Sequence, residues 1–222
     1  MSKLTLQLGF WTAVILAFLG TAYQVILAGA LKSGTLVTME PASPEGLLAG
    51  IYTLLSAIGL LILIACIVQY ATPQKKVLGV LGLSFTSLFT AVVCINRFAQ
   101  LTIIRQSLLI ADTSGLDRFM PYGSRSVFFA LEMLGWGVFL SLAAFSISPL
   151  LPFGRLERWI ARLFNAYGVL GFISVLGYVS SSPLVMVGFI AWGPVLGLAV
   201  ILLGFLFWRD SHADNARLLS SP

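Results

Sequence analysis

The sequence predicts an all-α, polytopic membrane protein, a bundle of six transmembrane helices with both termini in the cytoplasm. The first observation is composition, since 59% of the 222 residues are hydrophobic and 9% are charged, against about 25% charged residues in soluble domains. The second is that the apolar residues fall into blocks of about 20, the length at which a helix crosses the hydrocarbon layer. The third is the placement of Lys and Arg, which predicts the orientation.

The six predicted spans are separated by short polar segments and make up one transmembrane domain. They cover residues 8–31, 46–70, 77–104, 126–150, 163–179 and 184–208, and a polar cytoplasmic tail follows at 209–222. We expect this tail to lack fixed structure, as exposed chain ends commonly do.

Local signals support the boundaries in the first half of the chain. The first span follows Lys3, and its apolar run is longer than the core of a signal peptide, so we expect a retained helix. Pro41 and Pro44 precede the second span, and Pro73 marks a tight turn before the third. The longest loop, residues 106–125, contains typical turn residues and separates the third span from the fourth.

The second half of the chain has two further features. In the segment 155–162, apolar residues follow helical spacing, while Arg155, Arg158 and Arg162 take a different face. This pattern is typical of a short helix lying at the headgroup surface. Pro194 falls inside the sixth span, where it removes a backbone hydrogen bond, so we expect the helix to be distorted there.

Orientation follows from the basic residues between the spans. If both ends are cytoplasmic, the inner segments hold eight Lys and Arg residues: Lys3, Lys75, Lys76, Arg155, Arg158, Arg162, Arg209 and Arg217. The outer loops then hold four: Lys32, Arg105, Arg118 and Arg125. This excess predicts cytoplasmic termini in a cell membrane, inner or plasma. Because the net charge of +5 is spread over span ends, it does not indicate nucleic-acid binding.

Arg97 and Glu132 are the charged residues that the pattern places within spans. Arg97 lies about 30 Å along the third span from its cytoplasmic end, and Glu132 lies about 9 Å into the fourth span from the outer side. The two side chains can therefore meet at one depth. A charge retained at membrane depth typically has a partner, a water-filled cavity or a ligand.

Further polar and aromatic residues reach the same outer zone. Asn96 and Gln100 flank Arg97, Gln24 lies in the outer part of the first span, and Trp136 follows Glu132 by one turn. The ligand-binding candidates are therefore Arg97, Glu132, Asn96, Gln100, Gln24 and Trp136. Tyr52, Tyr178 and Trp192 lie at a similar depth.

Three interpretations of Arg97 remain open from the sequence. Arg97 and Glu132 can form a structural pair that fixes how the helices align. They can instead line an outward-open pocket for a small molecule or ion. In the third interpretation, Arg97 extends to the outer headgroups and serves no site.

Glycines at helical spacing predict close helix packing. They occur as Gly46 with Gly50, and as Gly193 with Gly197. Such pairs let two helices approach closely, within one chain or between copies. The oligomeric state therefore stays open.

The sequence lacks the residue patterns that are typical of enzyme active sites and metal sites. Cys66 and Cys94 fall at different depths, which disfavours a disulfide and is typical of small buried hydrophobes. The single His212 has no second His or Cys near it, so no metal site is predicted. Motifs for acyl transfer, zinc hydrolysis and phosphate binding are missing. No catalytic residue and no cofactor are predicted.

Part of the chain resembles a family of bacterial six-helix integral membrane proteins known as a domain of unknown function. The resemblance rests on the segment 96–99 (Asn-Arg-Phe-Ala), a following loop with Asp117, the segment 135–137 (Gly-Trp-Gly) with a basic turn after it, and a Gly-rich fifth span. It covers about half of the chain. It implies a multi-pass bacterial membrane protein and assigns no activity.

These observations lead to two functional hypotheses. The first is a membrane protein, such as a transporter component, that binds or moves a small molecule or ion at an outward-facing polar site between helices. The second is a non-catalytic scaffold or sensor that acts through protein partners, using the segment 155–162 and the tail 209–222. The lipid bilayer is the one partner common to both.

Overall fold

Six helices long and apolar enough to cross a membrane make up the computed structural model. The structure describes residues 1–33, 41–120, 125–152 and 154–219, and all regular structure in these ranges is helical. The helices are α1 (Lys3–Ser33), α2 (Pro44–Val68), α3 (Pro73–Leu109), α4 (Val127–Leu150), α5 (Arg155–Val179) and α6 (Pro183–His212). The chain thus has the architecture of a multi-pass membrane protein.

Several helix boundaries differ from those the sequence predicts. Helix α3 extends to Leu109, past the expected end of the third span. Residues 155–162 form the first two turns of α5 and are not a separate surface helix, because no helix-breaking residue divides them from the span and Ile160 is buried in the core. The final helical segment, Leu196–Leu219, continues into the expected loose tail.

The six helices form a ring in chain order. Each of α1 to α5 packs on the helix that follows it, and α6 closes the ring by packing on α1. We call the end of the bundle that holds Lys3 and Arg209 the terminal side, and the opposite end the far side. Under the orientation predicted above, the terminal side is cytoplasmic.

Apolar side chains fill the ring over most of its height. The main core includes the fully buried Phe89, Tyr167 and Leu203. A second, smaller cluster near the far side joins Leu27 and Ala30 of α1 to Ala49 of α2. Tyr23, Ile26 and Phe189 pack against this second cluster.

Helices α1 and α6 approach closely on the terminal side. A Cβ at Gly204 would lie 3.4 Å from Ala13 Cβ, and one at Gly9 would lie 2.8 Å from the Phe207 ring. Glycine is thus needed at position 9 to seat this ring. The seam between the first and last helices is tight at this end of the bundle.

A polar cluster joins three helices on the terminal side. Arg209 Nη2 lies 2.7 Å from Glu157 Oε1 and 2.8 Å from Asp210 Oδ1, and the Tyr70 hydroxyl donates to Asp210 Oδ2 at 2.8 Å. Burial and, next, the hydrogen bond to Asp210 raise the pKa of Tyr70 well above its ordinary value. The cluster ties the end of α2 to the start of α5 and the end of α6.

Replacing Arg209 with alanine is expected to destabilise the bundle by about 1–3 kcal/mol. The Glu157 side chain is only 4% exposed, so its carboxylate would lose its cation in a poorly hydrated position. Thermal unfolding of the detergent-purified protein measures the effect. The control is Arg155→Ala, an exposed arginine on the same side, which should change stability by less than about 0.5 kcal/mol. Equal stability of the two variants would contradict a stabilising role for the cluster.

Candidate ligand-binding site

Arg97 and Glu132 form a buried ion pair between α3 and α4. Arg97 Nη2 lies 2.9 Å from Glu132 Oε1, and each residue is 8% exposed. The predicted meeting of the two side chains at one depth is confirmed. The third interpretation, in which Arg97 reaches the headgroups without a partner, is wrong.

Two amides of α3 complete a closed ring of hydrogen bonds around the pair. Arg97 Nη1 donates to Gln100 Oε1 at 3.0 Å, and Gln100 Nε2 donates to Asn96 Oδ1 at 2.9 Å. Asn96 Nδ2 then donates to Glu132 Oε1 at 2.8 Å and to the Phe128 carbonyl at 3.1 Å. Helical spacing of three and four residues brings these side chains of α3 together.

This ring matters because a buried charge is costly unless it is paired and hydrogen-bonded. Asn96 and Gln100 are both buried, at 0% and 4% exposure. They hold the two charged groups in one geometry, so the guanidinium and the carboxylate cannot reorient independently. The position of Glu132 is therefore determined mainly from α3.

A cavity of about 500 Å³ lies beside the ion pair, between the middle of the bundle and the far side. Its lining residues come from α1, α2, α3, α4 and α6. Four of the predicted candidates line it: Arg97, Glu132, Gln24 and Trp136. Asn96 and Gln100 are not among its lining residues and lie behind the ion pair.

The cavity is also lined by polar residues that were not among the predicted ligand-binding candidates. Thr53 and Ser56 of α2 line it. Tyr52 and Trp192, expected only at a similar depth, line it as well. Among the described residues, no hydrogen-bond partner is found for the buried Trp192 Nε1. In contrast, Tyr178 packs edge-on against the Phe129 ring and does not line the cavity.

Three π-helical segments either line the cavity or begin beside the ion pair. They are Gln100–Ile104 in α3, Met133–Phe139 in α4 and Ala191–Val195 in α6. The first begins at Gln100, one of the residues that hydrogen-bond around the ion pair, and the second begins directly after Glu132. Single π turns inside α-helices occur frequently at functional sites.

The π segment of α4 is held from α5. The Tyr167 hydroxyl donates to the Trp136 carbonyl at 2.7 Å, which satisfies a backbone acceptor where the regular α-helical ladder is interrupted. The Trp136 ring packs edge-on against Phe89, with 4.8 Å between ring centroids. These contacts fix the wall of the cavity next to Glu132.

The π segment of α6 contains the distortion expected at Pro194. It also places Trp192 and Gly193 on the cavity wall. A Cβ at Gly193 would lie 2.9 Å from Gln24 Nε2, so the Gln24 side chain lies against the α6 backbone. Gly193 and Gly197 were expected to let another helix approach closely, but a Cβ at Gly197 would meet no atom within 4 Å.

The cavity combines many apolar walls with few polar groups. Arg97 and Glu132 are the charged residues among the described residues that line it, and they compensate each other. Within the described residues, no cluster of three His, Cys, Asp or Glu side chains could hold a metal. Cys66 and Cys94 are both free thiols.

Comparison with protein-family models, with curated proteins and with solved structures finds no match to this chain.

A charge-swap series tests what the ion pair contributes. Arg97→Glu and Glu132→Arg each place two like charges in a buried contact, so each should destabilise the protein by about 3–5 kcal/mol. The double variant restores opposite charges and should recover part of the lost stability. Recovery should be incomplete because Asn96 and Gln100 are placed to hydrogen-bond an arginine on α3 and a glutamate on α4. The measurement is the yield of monodisperse protein extracted from membranes.

Arg118→Glu, in the exposed loop between α3 and α4, is the matched control and should leave the yield unchanged. If both single variants gave normal yields, the ion pair would not be needed for folding.

Proposed function

We propose that the protein binds a small organic molecule in the cavity beside Arg97 and Glu132, as a membrane binding or transport protein. The observation that carries the proposal is the cavity itself, which meets a rigid polar cluster on one wall. Its volume of about 500 Å³ lies within the 300–1,000 Å³ typical of small-molecule sites. Its mostly apolar lining with a few convergent polar groups is also typical of such sites.

A small organic molecule is favoured over an ion. A bound ion needs several oxygen ligands or an uncompensated opposite charge. The charged residues that line the cavity instead neutralise each other at 2.9 Å. Much of the remaining wall is aromatic, including Tyr52, Trp136 and Trp192, and aromatic surfaces favour flat or apolar groups.

The proposed cellular setting follows from charge distribution. Lys and Arg residues are more numerous on the terminal side, which supports cytoplasmic termini in a cell membrane. The cavity then lies in the outer half of the membrane. A molecule bound there is closer to the external leaflet than to the cytoplasm.

Native mass spectrometry of the protein extracted from membranes tests the proposal. The wild-type protein should retain a non-covalent adduct with a mass below about 1,000 Da, a mass range that we infer from the size of the cavity. Ser56→Trp fills the cavity from α2 and should abolish the adduct. Leu55→Trp, on the exposed neighbouring position, is the matched control and should keep it.

Two results would contradict small-molecule binding. One is the absence of any adduct on the wild-type protein, which would favour the scaffold hypothesis. The other is an adduct that Ser56→Trp retains at the wild-type level, because the bound molecule would then lie elsewhere.

A further inference from the structure

The seam between α1 and α6 is tight on the terminal side and separates towards the far side. Helix α1 packs on the final helical segment, Leu196–Leu219, which includes the second half of α6. The preceding part of α6, including Ala191–Val195, packs mainly on α5. A gap between the first and last helices therefore begins near the middle of the bundle, at the height of the cavity.

Two glycines lie on opposite sides of this gap. Gly20 of α1 and Gly197 of α6 both line the cavity, and a Cβ at either position would meet no atom within 4 Å. Beside them, Leu198 and Ile201 line the cavity and are also 48% and 44% exposed. Leu198 and Ile201 lie near the middle of α6, the level at which a membrane-spanning helix is surrounded by hydrocarbon chains.

Towards the far side the same gap is filled by side chains. Gln24 lies against Gly193, and the second apolar cluster around Leu27 and Ala49 packs with Phe189. None of the described loop residues lines the cavity. Side chains of the described residues thus narrow the gap towards the far side, whereas between the two glycines a Cβ would meet no atom.

We propose that the cavity takes up an uncharged amphiphile directly from the bilayer, through a side opening between α1 and α6 bounded by Gly20 and Gly197. This inference rests on the proposed function and specifies the ligand class and its path. The apolar body of the molecule lies along Leu198 and Ile201 near the opening. Its polar end lies deeper, among the hydrogen-bonding groups of the cavity.

The absence of net charge in the ligand follows from the lining. Because Arg97 and Glu132 compensate each other, a charged headgroup would enter without an opposite charge, which is costly in a poorly hydrated cavity. A neutral polar end can instead hydrogen-bond to Gln24 and Ser56, which line the cavity. The buried Trp192 Nε1, without a partner among the described residues, is a donor for an oxygen of the ligand.

Quenching of Trp192 fluorescence by brominated lipids tests this inference on the full chain. Replacing Trp11, Trp136, Trp159 and Trp208 with Phe leaves Trp192 as the only tryptophan among the five present. In unbrominated phosphatidylcholine vesicles that contain dibrominated stearyl alcohol, an uncharged amphiphile, the brominated chain should reach the opening of the cavity and quench Trp192. Acrylamide, a water-soluble quencher, should have little effect.

Variants at the opening separate entry through the gap from quenching by the surrounding lipid. Gly20→Phe and Gly197→Phe should each weaken quenching by the brominated chains, because a ring at either position narrows the gap. Both positions have free space for the new side chain, so the fold should tolerate them. Val25→Phe, on the 68% exposed outer face of α1, is the matched control and should leave quenching unchanged.

Headgroup charge is tested with two probes added to unbrominated vesicles. Dibrominated stearyl alcohol should quench Trp192 at a mole fraction about ten-fold lower than dibrominated stearic acid at alkaline pH, because the ionised acid would bury an unpaired charge. Equal quenching by the two probes would overturn the assignment of an uncharged ligand.

Other outcomes overturn the side opening without affecting the proposed function. Strong quenching by acrylamide, or equal quenching by brominated chains in the glycine variants and the control, would show that entry is from water or from elsewhere. A mass adduct that Ser56→Trp removes would still support binding in the cavity. If native mass spectrometry found no adduct on the wild-type protein, both the proposed function and the side opening would be wrong.

Discussion

The contact between Arg97 and Glu132 is the constraint on which the rest of the far half depends. Two opposite charges buried at membrane depth must stay together, so α3 and α4 cannot slide or rotate relative to each other at this level. Asn96 and Gln100 of α3 hydrogen-bond the ion pair and fix its geometry. The backbone of α3 and α4 departs from regular α-helix directly beside these residues. The cavity wall formed by Arg97 and Glu132 is therefore held rigid by these polar contacts.

Composition and helical geometry were sufficient to predict the fold class and part of the site. Apolar blocks of membrane length gave six spans, and the rise of about 1.5 Å per residue converted sequence position into depth. That conversion brought Arg97 and Glu132 together, because both lie in regular segments up to the point where they meet. It also placed Gln24 and Trp136 at the height where the cavity is found.

Other features could not be read from the same pattern. Counting at 3.6 residues per turn assumes a regular helix, so it cannot locate π turns, and only Pro194 signalled one of them. Ser56 has no sequence property that separates it from serines facing lipid. The first turns of α5 are amphipathic whether they lie on a membrane surface or begin a span, and the buried Ile160 decides between the two.

The closure of the ring by α1 and α6 has a consequence for biogenesis. During synthesis the first helix emerges long before the last, so α1 enters the membrane while the helix that it finally packs against is still unmade. Until α6 arrives, the cavity has no wall on that side and the Phe207 ring is not yet seated against Gly9. The cavity is therefore a property of the chain that includes α6, and a ribosome-bound intermediate ending after α5 lacks it.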